Sequence, residues 1–168
     1  MRARVIVSLV ACLFLSACGP WGPQGVFVGG PFLGSSEPRT PPDWSFTDDY
    51  KLVAIETRGP FFRHSVTILC VSADGALYVM ARHAEGKRWV QNVLSDPRVR
   101  LSISDRIYDG QAVRVDEARD GAKVARAFLR KYVGLDAPHA RSLGGAPAPG
   151  DDRADIWTFR IDPPVLWP

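Results

Sequence analysis

Residues 73–103 read ADGALYVMARHAEGKRWVQNVLSDPRVRLSI, and this stretch predicts three successive elements of the fold. It opens with Asp74-Gly75, a dipeptide typical of a two-residue hairpin turn, and an apolar strand follows. A short helix is predicted over 87–94, and Asp96-Pro97 ends it. Residues 99–103 then alternate between apolar and polar side chains, as a strand does. The predicted order of elements in this stretch is therefore a hairpin, a helix and a strand.

The flanking sequence supplies further strands and one longer helix. Apolar or alternating runs bounded by turn residues predict strands, and apolar residues at helical spacing predict a helix that ends at Gly134. The predicted strands are 51–57, 64–72, 76–81, 99–103, 106–115 and 156–161, and the longer helix is 122–132. Residues 135–152 are rich in Ala, Pro and Gly and predict a loop. About six strands with few helices indicate a mainly β domain of α+β type, built as a small barrel.

The short helix carries a family pattern. Trp89, Asn92 and Pro97 match a Trp-x-x-Asn-Leu-x-x-x-Pro motif, with Val93 in the place of the leucine. With Lys87, this string resembles the flavin-binding split β-barrel superfamily (pyridoxamine-phosphate oxidase-like), nearest to its deazaflavin-dependent nitroreductase-like branch. The resemblance covers residues 50–115 well and extends weakly to the final strand. It implies a split β-barrel with a short helix after the third strand, a longer helix near the C-terminus, and a homodimer.

The resemblance also implies a site for FMN or a deazaflavin coenzyme. Such a cofactor has an apolar ring and an anionic phosphate, and the phosphate needs cationic or N–H donors, for which arginine is well suited. In the family, the segment between the first two strands and the segment between hairpin and helix both contribute to the phosphate site. The residues at these places are Arg63, His64, Ser65, Arg82, His83, Lys87, Arg88, Trp89 and Asn92. Trp89 also fits a core position, and Asn92 also fits a hydrogen bond to the backbone.

The resulting hypothesis is a nitroreductase-like oxidoreductase that passes hydride to a small organic acceptor, while the cofactor carries the chemistry. The sequence shows no dyad or triad for acid–base catalysis, so catalytic residues stay unassigned. One alternative is a non-catalytic protein that binds flavin or haem, with His64 or His83 as the axial ligand. It is suggested by the loop 58–63, which has one glycine and two phenylalanines. The other alternative is a protein-interaction lipoprotein on a degenerate barrel.

The first residues predict export. Two arginines precede the apolar run 5–15, which is shorter than the ~20 residues of a membrane-spanning helix. The pattern is that of a secretory signal peptide. Residues 15–18 read Leu-Ser-Ala-Cys and resemble a bacterial lipobox, which implies that Cys18 is lipidated and becomes the mature N-terminus. The alternative is a plain signal peptide cleaved near Ala17.

These features predict three segments. We expect a signal peptide (1–17), a Gly/Pro-rich tether that begins with the lipidated cysteine (18–49), and a split-barrel domain (50–168). The lipid would hold the protein on a bilayer in the bacterial cell envelope. Gly19 after the cysteine favours, by resemblance, the periplasmic side of the outer membrane. The aromatic residues of the tether suggest that part of it packs on the domain or on lipid headgroups.

Composition narrows the function classes. Removing residues 1–17 from 168 leaves 151, which is enough for one domain with a sizeable core. It removes two of the 21 Lys and Arg and none of the 18 Asp and Glu, so the mature net charge is +1. That balance does not fit a nucleic-acid-binding protein. With Cys18 lipidated, Cys70 is the one free thiol, and its apolar surroundings predict burial. The three histidines show no ligand spacing, so no metal site is predicted.

Overall fold

The computed structural model describes residues 29–115, 117–134 and 156–164. Antiparallel strands form a closed barrel in the order β1-β2-β3-β6-β5-β4. The strands are β1 (Leu52–Arg58), β2 (Arg63–Ala73), β3 (Ala76–Arg82), β4 (Arg98–Ile103), β5 (Arg106–Arg114) and β6 (Ile156–Asp162), and the helices are α1 (Arg88–Ser95) and α2 (Glu117–Phe128). Short 3₁₀ turns occupy Ser45–Asp49 and Ala84–Gly86, and α2 continues as a π-helical turn over Leu129–Val133. The predicted mainly β barrel, with a short helix after the third strand, is confirmed.

Alternate apolar residues of each strand fill the barrel. Ile55 of β1, Leu101 of β4 and Phe159 of β6 are fully buried in one core cluster. Trp89 of α1 joins this cluster, and its ring meets that of Phe159 edge-on at 5.4 Å between centroids. The apolar face of α1 therefore attaches the helix to the barrel.

Two turns have the backbone geometry that their residues predict. Asp74 and Gly75 have φ values of 53° and 75°, as the central residues of a type I′ hairpin turn require. Gly134 follows the helical region with a φ of 70°, the left-handed conformation that commonly ends a helix. The start of α2 differs from the prediction, because the helix begins at Glu117 and not at Ala122. Residues 117–121 carry almost no apolar side chains, so periodicity does not reveal this first part of the helix.

The helix α2 packs on the outside of the barrel. Its Val124 joins Val71 of β2 and Tyr78 of β3 in a second apolar cluster, with Phe128 at the periphery. This cluster buries the one apolar stripe that the sequence predicts for the helix.

Tyr132 ties the π-helical turn to the edge of β2. Its hydroxyl lies 2.6 Å from the carbonyl oxygen of Lys51 and 2.7 Å from that of Cys70, and it accepts the N–H of Cys70 at 3.0 Å. The pairing of β2 with β1 ends at Leu69, so these backbone groups of Cys70 lie just beyond it. Tyr132 therefore satisfies backbone polar groups that would otherwise need a strand neighbour.

Residues 29–49 contain side chains that pack on the barrel, although composition assigns them to the tether. Phe32 is buried against Ala54 and Ile107, and Trp44 is buried in the main core. The N–H of Glu37 donates to the carbonyl of Ile107 at 2.7 Å. We call residues 29–37 the strap. It lies against the outer face of β1, β4 and β5.

The predicted signal peptide, Cys18 and the predicted loop 135–152 lie outside the described residues. Within the described ranges, none of the helices has the length and apolar character needed to cross a membrane.

Candidate functional site

A basic cleft of about 430 Å³ opens on the outer face of the barrel, beside the strap. Its walls carry four arginines and two carboxylates, which are Arg58, Arg63, Arg98, Arg100, Glu56 and Asp109. Four positive against two negative side chains leave an excess of two positive charges. The cleft is therefore suited to an anion.

Strand alternation and register bring these side chains together. The odd-numbered residues of β1 belong to the interior, so the even-numbered Glu56 and Arg58 point outward. Glu56 lies opposite Arg100 on β4, and Arg100 lies opposite Asp109 on β5. Arg58 lies opposite Arg63 on β2. The cleft therefore lies over two neighbouring rows of outward-facing side chains. One row contains Glu56, Arg100 and Asp109, and the other contains Arg58 and Arg63.

Glu56 is the buried centre of the cleft, and its side chain is 0% exposed. Nη1 of Arg63 donates to Oε1 at 2.6 Å, and Nη1 of Arg100 lies 3.4 Å from the same oxygen. The backbone N–H of Phe32 donates to Oε2. A buried carboxylate is tolerated when it is paired and hydrogen-bonded, and these three donors meet that requirement. Glu56 therefore positions two arginines and the strap together.

Arg100 fastens the strap to the barrel. Its Nη2 donates to the carbonyl of Gly34 at 2.6 Å, its Nη1 donates to that of Phe32 at 3.3 Å, and its Nε lies 3.3 Å from Oγ of Ser36. The side chain is only 16% exposed. Because most of its donors are already used, Arg100 shapes the cleft and has little capacity left for a ligand.

Arg58 and Arg98 are more open to a ligand. Arg58 is exposed. Nε and Nη2 of Arg98 donate to the carboxylate of Asp96 at 2.8 and 2.6 Å, and these hydrogen bonds hold the pKa of Asp96 below its usual value. The charge of Arg58 also contributes to lowering the pKa of Asp96. The Arg98 side chain is still 49% exposed. Two exposed guanidinium groups on one wall suit the geometry of a phosphate or carboxylate.

Of the predicted residues at the start of β2, one lines the cleft. Arg63 does so, whereas the hydroxyl of Ser65 is directed to the strap and donates to the carbonyl of Gly30 at 2.7 Å. The N–H of Ser65 donates to the carbonyl of Gly29 at 3.1 Å. His64 is half-buried against Gly29. Ser65 and His64 therefore border the strap.

The sequence predicts two segments at the phosphate site, which we call the first and second predicted walls. The second lies at the end of β3 and the start of α1. Arg82, His83, Lys87 and Arg88 are exposed, and none of them lines the cleft. Because β3 runs antiparallel to β2, these residues lie at the same end of the barrel as Arg63. The structure brings the two predicted walls to one end of the barrel, but the cleft includes residues of only the first.

Trp89 and Asn92 hold α1 against the barrel. Trp89 is buried against Phe159, and Asn92 is buried with its Nδ2 donating to Oγ1 of Thr57 at 3.0 Å. The core position predicted for Trp89 is confirmed. The side-chain hydrogen bond of Asn92 goes to another side chain and not to the backbone as predicted.

Five of the six charged cleft residues are not among those predicted from the sequence, namely Glu56, Arg58, Arg98, Arg100 and Asp109. A signal was present, because arginines alternate with apolar residues at the start of β4 and must therefore share its outward face. The sequence does not show that β4 is the neighbour of β1, since the paired Glu56 and Arg100 are 44 residues apart.

The described residues hold no group of three or more His, Cys, Asp or Glu side chains that could bind a metal ion. Cys70 is buried, as predicted. Burial raises the pKa of its thiol, although the ammonium of Lys131, 3.5 Å from Sγ, opposes that shift. A protonated and buried thiol is a core residue and not a nucleophile.

No protein-family profile matches this chain, and no curated protein is similar to it in sequence. Solved structures do match its fold. A conserved hypothetical protein from Mycobacterium tuberculosis is 18% identical, with a TM-score of 0.56 over 69% of this chain and 74% of that protein. The haem storage protein HutZ from Vibrio cholerae is 16% identical, with a TM-score of 0.51 over 71% and 85%. A candidate 5-nitroimidazole antibiotic resistance protein from Bacteroides thetaiotaomicron is 6% identical, with a TM-score of 0.52 over 71% and 76%.

These similarities establish the architecture. The resemblance to pyridoxamine-phosphate-oxidase-like split barrels is confirmed at the level of the fold. The chain therefore has the split-barrel architecture.

Proposed function

We propose that this chain is a flavin- or deazaflavin-dependent oxidoreductase, held on a membrane by a lipid on Cys18, whose arginine cleft binds the anionic end of the cofactor. The observation that carries the proposal is a group of three arginines in the cleft wall. Arg58 and Arg98 lie beside Arg63, whose guanidinium group is already held by the carboxylate of Glu56. A cationic site that is organised before binding loses little conformational entropy when the anion arrives. The helix motif that resembles the nitroreductase-like branch supports the same class of cofactor.

The cleft fits the charged end of such a cofactor. Its volume of about 430 Å³ falls within the range of small-molecule sites. Its apolar lining is limited to Val99 and Pro164, so the residues present match a phosphate better than a flavin ring. A flavin or deazaflavin, when bound, supplies hydride transfer to a small organic acceptor. The chain would bind the phosphate through Arg58 and Arg98 and orient it through Arg63.

A turnover assay tests the oxidoreductase. Reduced FMN and a reduced deazaflavin are each mixed anaerobically with the chain from residue 18 and a nitroaromatic or quinone acceptor, and reoxidation is followed by absorbance. We expect the protein to raise the rate at least about tenfold above the protein-free mixture, a modest fraction of typical enzymatic accelerations. The double variant Arg58→Gln/Arg98→Gln should lose this acceleration, and Arg126→Gln on α2 should keep it. No acceleration with any pair contradicts the oxidoreductase.

The similarity to HutZ favours a second candidate, which is cofactor binding without turnover. HutZ is described as a haem storage protein and shares the fold. Haem carries two propionates that arginines can pair, and His64 directly follows Arg63 on β2. A haem titration followed at the Soret band separates the candidates. Haem binding that is lost in His64→Ala, with no flavin-dependent turnover, would replace the oxidoreductase proposal with this one.

The anchoring part of the proposal rests on the lipobox-like residues 15–18. The mass of the protein extracted from bacterial membranes should show loss of residues 1–17 and addition of lipid. Cys18→Ser should move the protein to the soluble fraction. An extracted protein without added lipid would contradict the anchor. Pairing of two barrels, which the resemblance implies, is tested on the same sample by sedimentation.

A further inference from the structure

Two phenylalanines project from the turn between β1 and β2. Phe61 is 85% exposed and Phe62 is 82% exposed, more than any other large apolar side chain of the described residues. Adjacent aromatic rings in water leave much apolar area unburied. Their position together at one tip indicates a contact surface. We call residues 60–62 the aromatic tip.

The turn holds the aromatic tip in a defined conformation. The N–H of Gly59 donates to the carbonyl oxygen of Phe62 at 3.1 Å. A Cβ on Gly59 would lie 2.7 Å from that oxygen, so the backbone closes tightly at this point. The side-chain amide of Asn92 on α1 borders the same position, and Pro60 fixes its own φ. The phenylalanines therefore lie on a hydrogen-bonded turn with a defined backbone conformation.

Arginines flank the aromatic tip. Arg58 and Arg63 lie opposite each other on β1 and β2, directly before and after the turn. Arg98 lines the same cleft as these two arginines. Exposed aromatic rings beside arginines are typical of surfaces that bind the membrane interface. There the rings enter the headgroup region, and basic side chains are attracted to anionic lipid phosphates.

The N-terminal chain enters the folded domain at this end of the barrel. The first described residue, Gly29, accepts the N–H of Ser65 at 3.1 Å, and Ser65 lies two residues after Arg63. Ten residues lie between Cys18 and Gly29, and even a fully extended chain over these eleven Cα–Cα steps spans only about 40 Å. A lipid on Cys18 would therefore keep the aromatic tip within reach of the bilayer surface.

We propose that Phe61 and Phe62 insert into the headgroup region of an anionic bilayer while Arg58 and Arg63 pair with lipid phosphates. This inference rests on the membrane-anchoring part of the proposed function. Because Arg58 and Arg63 also line the cleft, lipid and cofactor phosphates would compete for them, so vesicle binding is measured without cofactor. The bilayer is favoured over a second copy of the chain, because symmetric contact between two tips brings their arginines together.

Vesicle binding by a chain that cannot be lipidated tests the aromatic tip separately from the anchor. The chain from residue 18 with Cys18→Ser is sedimented with phosphatidylglycerol-rich vesicles or with pure phosphatidylcholine vesicles. We expect binding to the anionic vesicles and at least about tenfold weaker partitioning when Phe61→Ser and Phe62→Ser are added. The matched control is Leu52→Ser/Leu69→Ser, which removes an exposed apolar pair at the other end of β1 and should leave binding unchanged.

Two results would overturn the inference. One is equal vesicle binding with and without the two phenylalanines, with both proteins folded by circular dichroism. The other is no vesicle binding together with a dimer that the phenylalanine variants dissociate, which assigns the aromatic tip to a second copy. Failure of the anchor alone is recognised by the missing lipid mass on Cys18, whereas vesicle binding of the unlipidated chain still reports on the aromatic tip.

Discussion

Glu56 on β1 and Arg100 on β4 face each other in the barrel wall, with Nη1 of Arg100 3.4 Å from Oε1 of Glu56. The same two side chains hold the strap, because Glu56 accepts the N–H of Phe32 and Arg100 donates to the carbonyl of Gly34. Two strands, the strap and the basic cleft therefore meet at one ion pair. The fold and the candidate site depend on the same residues.

The variant Glu56→Gln tests this dependence. It keeps the shape of the side chain but removes the charge that balances Arg63 and Arg100. We expect the free energy of unfolding to fall by about 3 kcal/mol, since breaking a buried ion pair by removing one partner costs ~3–5 kcal/mol. Urea denaturation measures the change. Asp109→Asn, at a half-exposed carboxylate of the same row, should cost less than about 1 kcal/mol. Equal effects of the two variants would contradict the central position of Glu56.

A pair of glycines gives a matched test of the turn below the aromatic tip. A Cβ on Gly59 would meet the carbonyl oxygen of Phe62 at 2.7 Å, whereas a Cβ on Gly86 would meet nothing within 4 Å. We expect Gly59→Ala to cost about 1–3 kcal/mol, as overpacking does. Gly86→Ala should change the free energy of unfolding by less than about 0.5 kcal/mol. Thermal or urea unfolding of both variants measures the difference, and similar stabilities would show that the turn relaxes freely.

The hydroxyl of Tyr132 contributes to stability through its contacts with Cys70 and Lys51. Burial raises the pKa of Tyr132 to about 12, so the hydroxyl keeps its proton at neutral pH. Tyr132→Phe leaves the N–H of Cys70 without this acceptor, and we expect a loss of about 1–3 kcal/mol. Tyr50→Phe serves as the control in the same urea titration. An unchanged unfolding midpoint for Tyr132→Phe would mean that water replaces the hydroxyl.

The ion pair of Asp96 and Arg98 gives a pH-dependent prediction. Hydrogen bonds from Arg98 lower the pKa of Asp96 from its usual 3.8 in the folded protein. Their stabilising effect is present above the usual pKa and is lost as the pH falls through the lowered one. Asp96→Asn should therefore have a lower urea midpoint than the unmodified protein near neutral pH, and the gap should close below about pH 4. Asp105→Asn is the control at an exposed turn. A gap that is constant with pH would assign the effect to lost packing.

Local chemistry explains why the elements could be predicted from the sequence. Asp74-Gly75 specifies its own turn, and Pro97 with the preceding aspartate ends α1 whatever the rest of the chain does. Trp89 and Asn92 have buried positions that follow from the helical spacing. These features depend only on residues a few positions away along the chain. Such local patterns are the ones from which secondary structure can be predicted in a single sequence.

The cleft could not be predicted in the same way, because it depends on which strands are neighbours. Arg98 and Arg100 share a face by alternation, but their position beside Glu56 follows from the pairing of β1 with β4. The strap was predicted only in part. The aromatic residues of the tether suggested packing on the domain or on lipid, and the burial of Phe32 against Ala54 shows that the strap packs on the barrel.

Cofactor binding by the cleft is the central prediction, and a ligand-induced shift in melting temperature measures it. FMN, FAD, a deazaflavin and haem are tested separately with the chain from residue 18. We expect stabilisation by a phosphate-bearing flavin or deazaflavin, because a ligand that binds only the folded state raises its apparent stability. Arg58→Gln/Arg98→Gln should abolish the shift, whereas Arg82→Gln/Arg88→Gln and Arg126→Gln should retain it. A shift that survives loss of Arg58 and Arg98 but disappears with Arg82 and Arg88 would contradict the cleft and favour the second predicted wall. No shift with any ligand would contradict cofactor binding itself.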